Sequence, residues 1–129
     1  MYVGKIYPSY FKYKDPKTKS IKFKSRPVLI IADPIGQFDT EYIVLPVSTL
    51  PNPVFFEKEF DVQLKVCDYS KLSITRDCYV RTHKQTTMYR SDIDFHKCIG
   101  DLKTDYPEVF SLILKKLRDY ENGIIEKAI

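Results

Sequence analysis

Several things are missing from these 129 residues, and each absence narrows the possibilities. No apolar run approaches the roughly 18 residues that a membrane-spanning helix needs. The opening Met-Tyr-Val-Gly-Lys lacks the pattern of a secretory signal, so a cytoplasmic, soluble protein is expected. The three cysteines, Cys67, Cys78 and Cys98, form no Cys-x-x-Cys pair, and their odd number argues against a disulfide framework. Two histidines, His83 and His96, add too little for a structural zinc site. Reduced, mostly buried thiols are expected, and no spacing favours a Cys–His nucleophile pair. Internal repeats and low-complexity segments are also absent. What remains fits one domain over residues 1–129, large enough to bury about two thirds of its unfolded surface.

Acidic residues are scarce in one segment. Lys12, Lys14, Lys17, Lys19, Lys22, Lys24 and Arg26 face a single acid there, Asp15, although the whole chain carries only +4. Such a run is either a solvated loop or a surface for polyanions, whose condensed counterions are released when phosphates are neutralised.

The pattern of the chain is mostly that of short strands. Residues 2–11 read as a first strand, where Gly4 and Pro8 suggest a bend or an edge position. The lysine-rich stretch with Asp15-Pro16 reads as a long loop, followed by a strand over 26–32. Its Val28-Leu29-Ile30-Ile31 is apolar throughout and is expected to be buried on both faces. Asp33-Pro34 and Gly36 mark a turn, and 41–48 is a third strand ended by Pro51-Asn52-Pro53. Phe60, Val62, Leu64 and Val66 alternate with Asp61, Gln63, Lys65 and Cys67, which predicts a strand with one wet face. A turn over 68–77 leads to a second alternating run at 78–83, then a short helix near 91–96 and a small strand at 98–102.

The period then changes. Val109, Phe110, Ile113, Leu114, Leu117 and Tyr120 fall on one helical stripe, with Asp105 as N-cap, Pro107 in the first turn and Gly123 as the stop. The expected architecture is a small, strongly bent antiparallel sheet or barrel, mainly β, with a C-terminal helix.

Chemistry concentrates around Arg26. Pro27 has no backbone N–H and biases Arg26 to an extended conformation, which fixes a permanent cation at the lip of a buried strand. If strands 26–32 and 41–48 pair antiparallel, Ser48 and Thr49 reach the same end of the ladder. A guanidinium beside one or two hydroxyls suits a phosphate. Tyr79, Arg81, His83 and Lys84 form a second candidate, a strip of aromatic and cationic groups for stacking and holding single-stranded RNA. Their other reading is a plain solvated strand face, with His83 a surface or satisfied histidine.

Three motifs, in this order, resemble the MazF/PemK toxins of bacterial toxin–antitoxin pairs. They are Gly4-x-Ile6-Tyr7, Arg26-Pro27-Val28-Leu29-Ile30-Ile31 and Val44-Leu45-Pro46-Val47-Ser48-Thr49. Asp77-Cys78-Tyr79-Val80, the Gln85–Met88 stretch and Ile99-Gly100-Asp101-Leu102 follow where that family has similar patterns. The resemblance reaches to about residue 102, with the helix after it in the expected place. It implies an SH3-like barrel, a homodimer, and a toxin that stops growth as an endoribonuclease of the mRNA interferase type. Such an enzyme cuts single-stranded RNA at a short sequence, without metal or cofactor, and is held by a cognate antitoxin peptide.

The family's key arginine maps onto Arg26 and its key threonine onto Ser48, with Thr49 one place on. Lys12, Lys14, Lys22 and Lys24 would help to hold the substrate. The chain departs from the family at Ser48, at Lys5 where an acid often stands, and in a segment before Arg26 that is lysine-rich and glycine-free. Two other readings stay open: a gyrase poison resembling CcdB, acting through the C-terminal helix and residues 121–129, and an RNA-binding barrel without cleavage.

Overall fold

The computed structural model describes residues 1–36, 40–50 and 52–129, with the side chain of Pro53 set aside. The far half of the turn expected between strands two and three, and Pro51 of the expected Pro51-Asn52-Pro53 stop, lie outside the described residues.

The chain is mainly β. Seven strands are present among the described residues: β1 (Lys5–Lys14), β2 (Ile21–Ala32), β3 (Glu41–Ser48), β4 (Asp61–Leu64), β5 (Cys78–Arg81), β6 (Thr86–Tyr89) and β7 (Gly100–Asp101). They form one curled antiparallel sheet in the order β4-β5-β3-β2-β1-β7, with β6 also on β3. A one-turn helix α1 (Leu102–Asp105) and the long α2 (Pro107–Ala128) follow.

The pleat sends alternate residues to two cores. Ile6, Leu29, Leu45 and Val47 point to one, which α2 closes with Phe110, Ile113 and Leu117. Tyr7, Val28, Ile30, Tyr42 and Val44 point to the other, where Met88, Ile93, Tyr2 and Phe95 cover them. Over Val28–Ile30 β2 is therefore buried on both faces, as its unbroken apolar run predicts.

Several expectations need correction. The lysine-rich stretch is no loop: β1 and β2 run on to Lys14 and Ile21 as one long hairpin, paired from Ile6↔Leu29 to Lys14↔Ile21. Its lysines alternate with Tyr10, Phe11, Tyr13 and Phe23, and such alternation makes a strand even with no core beneath it. The turn is tight. Asp15 accepts from the Lys19 amide at 2.7 Å and pairs with Lys22 at 2.6 Å, while Lys19 takes a φ of +57°.

The strand expected over 60–67 is only Asp61–Leu64, because the Val66 amide turns away to Asp77 Oδ1 at 2.8 Å. Asp61, expected on the wet face, is buried, and Val66 is exposed. The alternation at 78–83 stops at Arg81, where Thr82–Lys84 forms a 3-10 turn. The helix near 91–96 is a 3-10 turn at Arg90–Asp92, and the strand at 98–102 is Gly100–Asp101. Asp105 closes α1 instead of capping α2; Asp101 caps α1 by accepting from the Thr104 amide at 3.1 Å. Gly123 does not stop α2, which runs on to Ala128. Two of the three thiols, Cys67 and Cys98, are exposed, and only Cys78 is buried.

Candidate active-site cleft

β3 has two neighbours on one edge. Its first half pairs with β6, from Glu41↔Tyr89 to Val44↔Thr86, and its last residues pair with β5 as Val47↔Val80 and Ser48↔Tyr79. On its other edge, the ladder to β2 stops at Val28↔Pro46. Neither Pro27 nor Pro46 has an N–H to extend it. The two strands part there, and a cleft of about 440 Å³ opens between them.

One wall of the cleft is the stretch Lys24–Pro27 of β2, and the next is Val47, Ser48 and Thr49. The register brings Arg26 to the level of Ser48, as antiparallel pairing requires. Its backbone is held by buried Ser9, whose Oγ donates to the Arg26 carbonyl at 2.7 Å. The guanidinium lies 5.9 Å from the centre of the Phe11 ring, and the side chain is exposed.

The opposite wall was not legible beforehand. It is the turn Ser73-Ile74-Thr75-Arg76, tied to the sheet by the Ser73 amide donating to the Ile99 carbonyl at 2.8 Å. Arg76 is exposed, and neither it nor Arg26 has a carboxylate partner among the described residues. Alternation sets the Arg26 guanidinium on the Phe11 face of β2, opposite Ser25 and Pro27. Arg26, Arg76 and five hydroxyl residues (Ser25, Ser48, Thr49, Ser73 and Thr75) border one hollow, with Leu50, Phe55 and Ile74 in its apolar part. Such a set donates hydrogen bonds to an oxyanion and offers flat apolar surface beside it.

Arg81 also reaches the cleft, but its guanidinium is spent on the protein. It donates to Asp61 Oδ1 at 3.1 Å, to the Phe55 carbonyl at 3.0 Å, and meets His83 Nε2 at 3.3 Å. The Asp61 carboxylate is fully buried and also accepts from the Glu57 amide at 2.8 Å. Arg81 is a wall of the site, anchoring the segment that carries Phe55.

The four residues expected as an RNA strip at 79–84 do not share one exposed face. Tyr79 packs 5.3 Å from Phe56 and is bonded to Gln63 at 3.2 Å, His83 leaves the strand on the 3-10 turn, and only Lys84 is exposed. His83 sits among Phe60, Tyr120 and Asp61, with its buried Nδ1 lacking a hydrogen-bond partner. Burial holds its pKa below the usual histidine value; Arg81 and Lys84 push the same way, against Asp61 and Glu57. It does not line the cleft. His96 borders a separate hollow beside Tyr2, Arg90 and Phe95.

Cys78 lines the cleft, and burial raises its thiol to about 11, so it is no nucleophile at neutral pH. Of the four lysines, Lys24 reaches the cleft while Lys12 and Lys14 lie on the hairpin beyond it. Lys22 is engaged by Asp15. Among the described residues, no three His, Cys, Asp or Glu converge as a metal site would require, and no helix is long and apolar enough to cross a membrane. No protein-family model matches the chain, and no curated protein matches it. The likeness to the MazF/PemK toxins rests on the order of its short motifs.

Proposed function

We propose that the chain is a MazF/PemK-type toxin, an SH3-like barrel whose cleft binds single-stranded RNA and cuts it in the cytoplasm. The observation that carries this is that Arg26, Ser48, Thr49 and Arg76 border one hollow whose lining holds no carboxylate among the described residues. The 2′-oxygen of the substrate attacks the adjacent phosphorus, the bond from phosphorus to the 5′-oxygen breaks, and a 2′,3′-cyclic phosphate and a 5′-hydroxyl result. The 2′-hydroxyl proton leaves to a base, and the departing 5′-oxygen takes a proton. Arg26 and Arg76 would neutralise the dianionic phosphorane, and a guanidinium of pKa above about 12 serves as a donor and not as a proton acceptor. Ser48 and Thr49 would orient the non-bridging oxygens. A homodimer and an acidic antitoxin peptide that folds onto the basic surface belong to the same reading.

The test is purified protein with a long RNA in EDTA, with new 5′ ends mapped. Wild type is expected to give discrete 5′-hydroxyl ends. Arg26→Ala should cut about 100- to 1000-fold more slowly, as loss of a preorganised donor does, and should no longer arrest growth. Intact RNA with wild-type protein would refute the reading.

The CcdB-like reading draws on a different observation, the exposed Ile124, Ile125 and Ile129 at the end of α2. It requires that removal of residues 121–129 abolish growth arrest while Arg26→Ala leaves it unchanged.

A further inference from the structure

The β1–β2 hairpin continues well beyond both cores. From Tyr10↔Ser25 to Lys14↔Ile21 its strands pair with each other, and β2 has no second neighbour before Val28 among the described residues. Four large apolar side chains on this arm are exposed: Tyr10, Tyr13, Ile21 and Phe23, the last two at 72% and 61%. Aromatic and aliphatic groups left in water on a two-stranded ribbon stabilise nothing beneath them.

Their placement is ordered. Alternation along β2 puts Pro27, Ser25, Phe23 and Ile21 on the side of the sheet that holds Leu29 and the α2 core. Pro27 and Ser25 line the cleft, so Phe23 and Ile21 prolong its wall along the arm by about 14 Å from Ser25. Their cross-strand partners on that face are Tyr10, Lys12 and Lys14. The Lys12 ammonium stands 5.9 Å from the centre of the Phe23 ring. The face therefore interleaves Tyr10, Phe23 and Ile21 with two lysines that have no acidic partner among the described residues.

Charge selects the occupant. The arm and its root hold seven cations against Asp15, whose one carboxylate is taken by Lys22. A second copy laid arm against arm would set lysines on lysines, which costs free energy in the pairing. A polyanion with flat apolar faces fits both kinds of side chain. We propose that this arm face is a stacking platform for single-stranded RNA: bases lie on Tyr10 and Phe23, Lys12 and Lys14 hold phosphates, and the strand is fed over Ser25 into the cleft. The inference rests on the RNA reading of the cleft and adds a second binding region to it. Because every base has a π-face, the platform is tolerant of sequence; discrimination belongs to the cleft.

The experiment is fluorescence anisotropy with a labelled 2′-O-methyl RNA of about 15 nucleotides and randomised sequence, whose blocked 2′-oxygen leaves it uncut. Phe23→Ala is expected to weaken binding about 10-fold and Tyr10→Ala with Phe23→Ala about 100-fold, while Phe23→Tyr keeps wild-type affinity. Lys12→Ala with Lys14→Ala should flatten the slope of log affinity against log salt by about 1.4, near 0.7 for each lost phosphate contact. Thermal melting of each variant checks the fold.

Wild-type affinity in well-folded Phe23→Ala overturns the proposal, as does a loss of dimer in light scattering with RNA affinity unchanged. The two readings fail separately. Arm-dependent binding with long RNA left intact removes the nuclease and keeps the platform, whereas cleavage by a protein whose binding ignores Phe23 removes the platform and keeps the nuclease.

Discussion

At the scale of single residues, the strongest commitment is the buried carboxylate of Asp61. An anion with no solvent contact persists only because Arg81 and the Glu57 amide satisfy it. Arg81→Ala leaves that charge alone and is expected to cost about 3–5 kcal/mol in urea unfolding, far more than removal of an exposed arginine. His83 closes the same cluster, and its pKa in the folded chain is depressed by burial. As pH falls below about 6.5 the unfolded chain takes up the histidine proton first, so stability declines until the folded-state pKa is reached and then levels. Melting temperature measured from pH 8 down to pH 5 should show this fall, and His83→Phe should flatten it. An unchanged slope in His83→Phe would assign the acid sensitivity elsewhere.

Among the elements, α2 shows how weakly a single glycine dictates a helix end. Gly123 lies within the helix with open space around the position of its missing Cβ. The stripe of Phe110, Ile113 and Leu117 anchors the helix well before this point, so the final turns depend on propensity. Gly123→Ala should raise stability by about 0.5–1 kcal/mol and increase helical circular dichroism. Gly4 is the opposite case. Its φ is +88° and an added Cβ would meet the Cβ of Lys103, so the bend before β1 requires glycine. Gly4, expected as a bend or an edge within a strand over 2–11, instead precedes the strand that begins at Lys5, and Gly123, expected as a stop, lies inside the helix. Neither glycine carries a side chain whose pattern would fix the boundary.

For the molecule as a whole, the sequence reached one half of the cleft and not the other, for a physical reason. Antiparallel pairing of two recognisable strands fixes Arg26 near Ser48, and that inference needs only register. Arg76 arrives through the bond between Ser73 and Ile99, 26 positions apart, which no local pattern announces. Alternation likewise gave the side of the sheet for Asp61 and Arg81 but not what covers them, which is the segment around Glu57 and Phe55. The lysine-rich hairpin escapes a reading of the sequence because its polar composition suits a solvated loop as well as a two-stranded ribbon with no core beneath it. Cleft composition also governs the pH–rate profile. Among the described residues no histidine or carboxylate lines the hollow, and its thiol is raised to about 11. RNA cleavage should therefore climb steadily from pH 6 to pH 9 without the bell that a histidine acid–base pair produces. A maximum near neutrality, lost in His83→Gln, would bring that histidine into the chemistry.

The long hairpin has one further consequence. Apart from Phe11, which packs against the second core, its outer half contributes to neither core, so replacements at its exposed positions leave the folding free energy nearly untouched. Exchange of Tyr10, Phe23 or Ile21 could therefore raise or lower the grip on RNA. The scaffold beneath would register none of it.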